Sequence, residues 1–283
     1  MVSVAGVQLG WYYDAREPNF SLPSVGIAMY PGFSKNFLAI GALLLSDVAF
    51  GAGSADELIA KGDVFYAKLE AADALKFYLP AEKLEPNNAR LLVRISREYR
   101  HLMSDAANPG EKLGLGGIAL DYAKRAAGLA PDDPEAQLAV AISYGKLQPF
   151  EGIRERLDAS RAIKAAADKV IKLDPRNDLA WHVLGRWHMA FADVTPAMRV
   201  LAQLTYGKLP DSTYEDATRC FAKAIELNPN RLMHYIELGR VYAQMGRTDE
   251  ARRLITQGLA MPNTEKDDPE TKLQGQEVLA NLH

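Results

Sequence analysis

The sequence predicts an all-α protein, a TPR-like solenoid of about five helix pairs closed by a C-terminal helix. The first observation is a recurring phrase, an apolar helical ending followed by proline and a polar residue: "AEKLEPN", "AAGLAPD", "VIKLDPR" and "AIELNPN". The second is the distance between the prolines of these phrases, which is 45, 44 and 54 residues. The third is a set of small residues at fixed distances before them. Because proline cannot continue a helix, each phrase indicates a helix end.

The register of the small residues is that of the tetratricopeptide repeat (TPR). If Pro86 takes position 32 of such a repeat, Gly62 falls at position 8 and Ala74 at position 20, where the two helices of a repeat cross closely. The first repeat is then 55–88, and the last, 232–263, fits the same register without adjustment. Each repeat therefore consists of a helix A and a helix B.

The second, third and fourth pairs are longer than a standard repeat by about 11, 10 and 20 residues. Helix A keeps its register with the preceding proline and helix B with the following one, so the surplus falls between A and B. These segments are "MSDAANPGEKLGLGG", "LQPFEGIRERLD" and "DVTPAMRVLAQLTYGKLPDST", the last containing an amphipathic run from Met198 to Leu204. We expect long insertions that project from one edge of the solenoid.

The final segment, "DPETKLQGQEVLANL", predicts a helix that covers the apolar end of the stack. Asp268 is expected to be its N-cap, and Pro269 to occupy its first turn. The solenoid domain is thus predicted to occupy 54–283.

Two segments precede this domain. Residues 1–28 have no helical period and are interpreted as a non-native or disordered extension. Residues 29–53 contain the apolar stretch "NFLAIGALLLSDVAF", and the small residues "GAGSA" follow it, which is the order found in a signal peptide or an N-terminal anchor. We therefore expect the protein to be exported, periplasmic or secreted, or anchored to a membrane by this segment.

The composition excludes several classes of function. A formal net charge of -3 gives no global attraction to nucleic acid. The single cysteine, Cys220, cannot form an internal disulfide. The "GLGG" at 114–117 lacks the context of a phosphate loop and is interpreted as turn glycines, and no catalytic motif stands out. We predict a protein that is not an enzyme and uses no cofactor.

The candidate binding residues come from the repeat geometry. In a TPR superhelix, positions 2, 5, 9, 12 and 13 of helix A line the concave wall. The polar, charged and methionine residues singled out at these positions are Arg90, Arg97, Arg100, His101, His182, Arg186, Met189, Arg240 and Gln244. Arginine forks match carboxylate and phosphate oxygens. No metal site is predicted, since His182 and His188 do not share a helical face.

The arginines leave three interpretations open. In the first, they hold an acidic segment of a protein or peptide partner, which makes the protein a scaffold with a basic concave groove. In the second, they meet the headgroup of an anionic phospholipid while the insertions close over its acyl chains. In the third, they only pair with acidic residues of neighbouring helices. Oligomeric state is not predicted, and Trp181 and Trp187 are expected to pack in the core.

Two stretches, "HVLGRWHMAFADV" and "YGKLPDSTYEDATRCFAKAIELNPN", resemble the regulator of microtubule dynamics family. The residues that carry the resemblance are Gly185, Arg186, Trp187, Gly207, Leu209 and Pro210. It covers 54–283, although His188 and the "DVTP" that follows depart from the family pattern. The family name refers to microtubule association of some members, and one branch has a TPR domain that binds phospholipid. The resemblance thus implies a TPR-like interaction or lipid-binding module without enzymatic activity.

Overall fold

The computed structural model describes residues 54–282; the segments 1–28 and 29–53, interpreted above as an extension and a signal peptide or anchor, lie outside the described residues. Throughout residues 54–282 the secondary structure is helical, and the predicted all-α solenoid of five pairs is confirmed. Its helices are α1 (Ala55–Tyr66), α2 (Ala71–Leu84), α3 (Ala89–Asp105), α4 (Pro109–Leu129), α5 (Pro134–Leu147), a 3-10 turn (Gln148–Phe150), α6 (Ile153–Leu173), α7 (Asp178–Ala192), α8 (Pro196–Tyr206), α9 (Tyr214–Leu227), α10 (Leu232–Gln244), α11 (Thr248–Ala260) and α12 (Asp268–Asn281). In this part of the chain no helix combines the length and apolarity that a membrane crossing requires.

In the structure, the recurring proline phrase lies at the end of helix B and just before the N-cap of the next helix A. In three of the pairs the residue before helix A is an asparagine or aspartate whose side chain accepts a hydrogen bond from a backbone N–H of the first turn: Asn88, Asp133 and Asn177. Such a cap satisfies a backbone donor that has no partner within the helix. The phrase therefore marks both the end of one helix and the beginning of the next.

Glycine allows helices A and B to approach closely, as the register predicts. A Cβ added at Gly239 would lie 2.5 Å from Ile255 Cγ1 and 3.1 Å from the Ala251 backbone oxygen. Gly62 meets the Tyr78 ring in the first pair, and Gly185 meets Phe221 in the fourth. The core consequently runs as successive apolar clusters along the stack, each shared by neighbouring pairs.

The surplus residues lie between helices A and B, but most of them are helical. In the second pair they lengthen helix A to Asp105 and start helix B at Pro109, so only three residues, 106–108, connect the two. Gly116, expected in a turn, lies inside α4 against Leu147 and Met103. In the third pair the surplus forms the 3-10 turn and the first turns of the 21-residue α6. The fourth pair alone acquires a separate inserted helix, α8.

The terminal helix α12 packs on α10 and α11, with Gly275 against Ile255 and Ile236. The prediction that Asp268 is its N-cap is wrong, because Asp268 is the first helical residue. Its carboxylate instead accepts hydrogen bonds from the backbone N–H groups of Thr264 and Glu265, both at 2.7 Å. Asp268 therefore fixes the connection before the helix, residues 261–267, which we call the α11–α12 linker.

Candidate functional site

The concave face contains a cavity of about 360 Å³, here called the central cavity. Helices A of the first three pairs, the N-terminal ends of helices A of the fourth and fifth, and the α11–α12 linker surround it. Its lining residues are Tyr66, Val93, Arg97, Arg100, His101, Glu135, Leu138, Ala139, Ile142, Lys146, Asn177, Asp178, Leu179, Arg231, Met233, Glu265, Lys266 and Asp267. Three of the nine predicted binding residues, Arg97, Arg100 and His101, are among them.

Arg100 is the buried cation of this cavity, with only 7% of its surface exposed. Its Nη1 donates hydrogen bonds to the hydroxyl oxygens of Ser96, at 2.8 Å, and Ser143, at 3.1 Å. Among the described residues no carboxylate forms an ion pair with it. Burial lowers the pKa of Arg100 to about 10, so the guanidinium still carries its charge at neutral pH. The carboxylates of Asp267, Glu98 and Glu135 offset part of the cost of burying this charge, but none of them hydrogen-bonds the guanidinium, and an anion that entered the cavity would offset more.

Arg97 lies beside Arg100 in the cavity and is held from two sides. Its guanidinium lies 3.5 Å from the centroid of the Tyr66 ring, and its Nε donates to Glu98 at 3.3 Å. The same Glu98 carboxylate is 3.3 Å from His101 Nδ1. These contacts fix the orientation of Arg97, which remains 28% exposed in its side chain.

The α11–α12 linker crosses the cavity and bonds to helices of the second and third pairs. The Asp267 carboxylate lies 2.7 Å from Lys146 Nζ and accepts a hydrogen bond of 2.8 Å from Ser104 Oγ. Lys266 pairs with Asp105 at 2.8 Å, and Glu265 with Arg231. Burial alone would raise the pKa of Asp267, but the Lys146 ammonium and the Ser104 hydroxyl hold it below its usual value.

The charge of the cavity depends on this linker. The helices A and their N-cap residues contribute four cations, Arg97, Arg100, Lys146 and Arg231, and two carboxylates, Glu135 and Asp178. The linker adds two carboxylates and one lysine. The lining residues outside the linker therefore carry more positive than negative side chains, and the linker offsets part of that difference.

Two of the predicted groove arginines lie elsewhere. Arg186 donates to Glu237 Oε1 at 2.5 Å, and Arg240 donates to the same oxygen at 2.8 Å and to Gln274 of α12 at 3.3 Å. Burial alone would raise the pKa of Glu237, but the two arginines hold it below its usual value. Because position 9 of helix A in the fourth and fifth pairs meets Glu237 and α12 here, these arginines do not line the central cavity.

The remaining predicted residues are also distributed over different surroundings. His182 is buried, and its Nδ1 lies 2.9 Å from His234 Nδ1; burial holds the pKa of His182 well below its usual value. Met189 packs in the core of the last two pairs. Gln244 is exposed, and Arg90 is exposed at a second, more open recess that shares Arg97 with the central cavity.

The tryptophans follow the prediction of core packing to different degrees. Trp187 is 4% exposed, packs in the core of the third and fourth pairs, and donates to the backbone oxygen of Ser160 at 3.0 Å. Trp181 is partly buried against the same cluster and donates to the Pro175 oxygen. Within residues 54–282, no group of three or more His, Cys, Asp and Glu side chains is arranged to hold a metal ion.

Several cavity residues were missed by the sequence reasoning. The same position rule, applied to helix A of the third pair, selects Glu135, Leu138, Ile142, Gly145 and Lys146, and all of these except Gly145 line the cavity. The helical period therefore predicts much of the lining that the third pair contributes. The linker carboxylates have no periodic signal, because their position depends on the curvature of the whole stack.

Known proteins resemble this chain over most of its length. Residues 58–283 match the family described as regulator of microtubule dynamics protein 1-3. Regulator of microtubule dynamics protein 1 of Mus musculus is 28% identical over 238 residues, which cover 83% of this chain and 77% of the mouse protein. Regulator of microtubule dynamics protein 2 of Macaca fascicularis is 27% identical over 194 residues, 67% of this chain and 46% of that protein.

A solved structure with the same fold is that of a thermophilic TPR protein from Thermus thermophilus. It has a TM-score of 0.57 and 18% identity, and the match covers 80% of this chain and 100% of that one. At this identity the likeness concerns the fold alone, which is that of a TPR protein. Together with the family match over 58–283, and with the glycine, arginine and tryptophan motif at 185–187, it leads to one conclusion: the chain belongs to the regulator of microtubule dynamics family.

Proposed function

We propose that this protein is a non-enzymatic TPR-like scaffold whose central cavity binds an acidic segment of a protein or peptide partner. The observation that carries the proposal is Arg100, which is 7% exposed, lines the cavity and hydrogen-bonds two serine hydroxyls but no carboxylate of the described residues. A carboxylate that reached its guanidinium would form charge-assisted hydrogen bonds.

The size of the cavity supports a small anionic group. Its volume of about 360 Å³ is at the lower end of the range of ligand sites, which is roughly 300–1,000 Å³. Apolar residues line the same cavity: Val93, Leu138, Ile142, Leu179 and Met233. An acidic side chain with an apolar neighbour in sequence fits this combination.

The test is a binding measurement with the full chain and its Arg100→Met variant. The probe is a fluorescein-labelled peptide of alternating leucine and glutamate, followed by fluorescence anisotropy, with a leucine and glutamine peptide as reference. We expect the acidic peptide to bind more tightly than its reference, and Arg100→Met to weaken it at least about tenfold, as for a lost hydrogen bond to a charged group. Arg161→Gln, which removes an exposed arginine outside the cavity, is the matched control and should bind like the unchanged chain.

The rival ligand is the headgroup of an anionic phospholipid, which offers the same charge to Arg100. Native mass spectrometry with organic extraction of the purified chain distinguishes the two. A phospholipid that is lost in Arg100→Met, without binding of the peptide, would replace the scaffold proposal with lipid binding. Equal affinity of both peptides, together with lipid-free protein, would refute an anion site at Arg100 altogether.

A further inference from the structure

The inserted helix α8 has an apolar stripe that faces away from the protein. Ala197, Val200, Leu201 and Leu204 are spaced three and four residues apart, so they share one face of the helix. Val200 is 65% exposed, Leu201 39% and Leu204 81%, and Ala197 is also exposed. We call these four residues the α8 stripe.

The opposite face of α8 already packs against the protein. Met198 and Tyr206 contact the core of the third and fourth pairs, and Ala202 is 6% exposed. Arg199 holds the helix in place by donating to the backbone oxygens of Phe191 and Pro210. A helix with two apolar faces is usually buried on both of them. In α8 only one face is packed against the protein, and the α8 stripe on the other face has no contact within residues 54–282 that buries it.

The charges around α8 are suited to an anionic surface. Residues 196–208 contain Arg199 and Lys208 and no acidic residue, and Lys208 pairs with the exposed Asp211 at 2.9 Å. A shallow recess beside the C-terminal end of the helix, at Thr205 and Tyr206, is lined by Arg154 and Arg161 as well as Asp158. Arg154 is exposed and forms no ion pair with a described residue.

The dimensions of the helix decide between a membrane and a protein as the occupant. An 11-residue helix is about 16 Å long, which is short for the roughly 800 Å² that each partner contributes to a standard protein interface. A bilayer surface needs no complementary shape, since an interfacial helix inserts its apolar face only about 5–10 Å into the headgroup region. We propose that α8 is an interfacial helix that inserts the α8 stripe into the surface of an anionic phospholipid bilayer.

The test places an environment-sensitive fluorophore on α8 in the full chain. The dye is attached to Leu204→Cys, and the reference site is Leu273→Cys on α12, where the native leucine is also exposed, at 61%. The native Cys220 is buried, and its pKa is raised to about 11 by that burial, so the introduced thiol reacts first. The vesicles are phosphatidylcholine with and without phosphatidylserine, and a spin-labelled lipid quenches dyes that enter the bilayer.

We expect a blue shift and quenching at position 204 with phosphatidylserine vesicles, and neither at position 273. Because the readout reports the depth of one site, it does not depend on whether another segment attaches the chain to the vesicle. Dye on Leu204→Cys combined with Val200→Gln and Leu201→Gln should require at least about tenfold more lipid for the same shift. Arg154→Gln should reduce the preference for phosphatidylserine.

Two results would overturn this proposal. In the first, the dye at position 204 stays in water with both kinds of vesicle. In the second, the blue shift appears without vesicles and grows with protein concentration, which would assign the α8 stripe to contact with a second copy of the chain.

Discussion

Arg100 and Arg186 are both buried arginines of helix A, with 7% and 5% of their surface exposed, but they meet different partners. Arg186 shares Glu237 with Arg240, whereas Arg100 bonds two hydroxyl groups. The first arrangement stabilises the fold. The second leaves the Arg100 guanidinium without a direct ion pair, although Asp267, Glu98 and Glu135 stabilise its charge from a distance.

Substitution by methionine should separate the two roles. Arg186→Met leaves Glu237 buried with one arginine fewer, and we expect it to lower the free energy of unfolding by about 3 kcal/mol. Arg100→Met removes a buried charge without stranding a carboxylate, and we expect a change within about 1 kcal/mol or a gain in stability. Urea denaturation of the two variants measures both. An equal loss in the free energy of unfolding of the two variants would mean that Arg100 also stabilises the fold.

For single residues, the sequence predicts the helix face on which a side chain lies better than it predicts the residues that the side chain contacts. The TPR register selects Arg97, Arg100 and His101, and all three line the central cavity. It also selects Arg186 and Arg240, because periodicity shows which face a residue occupies but not whether Glu237 or α12 covers that face.

At the scale of elements, the surplus between helices A and B has three different structures. It lengthens both helices of the second pair, precedes and lengthens α6, and forms α8 with its own cap at Thr195. The sequence predicts where the surplus lies because helix ends carry proline and cap signals. It does not predict that glycines such as Gly116 continue a helix, since tertiary packing against Leu147 and Met103 overrides their low propensity.

Two glycines inside helices should respond oppositely to alanine. Gly239→Ala forces a Cβ against Ile255 and the Ala251 backbone oxygen, so we expect a loss of about 1–3 kcal/mol. Gly117→Ala, in α4, meets nothing within 4 Å and should gain about 0.5–1 kcal/mol from helix propensity. Thermal or urea unfolding of both variants tests the pair. A loss of stability in Gly117→Ala would show that α4 is packed more tightly there.

At the scale of the whole molecule, the α11–α12 linker makes the stack more than a linear array. In an open repeat protein each repeat contacts only its neighbours. Here Asp267 of the linker bonds to Ser104 and Lys146, so the C-terminal end of the stack contacts the second and third pairs. No sequence period indicates this contact, because it follows from the accumulated curvature of all the pairs.

Loss of this contact should loosen distant helices together. Asp267→Asn weakens the largely buried pair with Lys146, and we expect it to cost about 2 kcal/mol and to speed amide exchange at the ends of α3 and α5. The matched control, Asp105→Asn, removes a more exposed partner of Lys266 in the same region and should cost less than about 1 kcal/mol. Exchange that rises in α12 alone would refute the coupling.

Because the α11–α12 linker lies near the C-terminal end of the chain, the central cavity is completed late during synthesis. Its bond between Ser104 and Asp267 joins residues that are 163 positions apart. At about 5–20 residues per second, a ribosome reaches residue 267 on the order of 10 s after residue 104. During that interval the first pairs can fold on one another, but the residues that the linker contributes to the cavity lining are still missing. If the proposed function is correct, the binding site is therefore incomplete on the nascent chain until residues 261–267 have been synthesised.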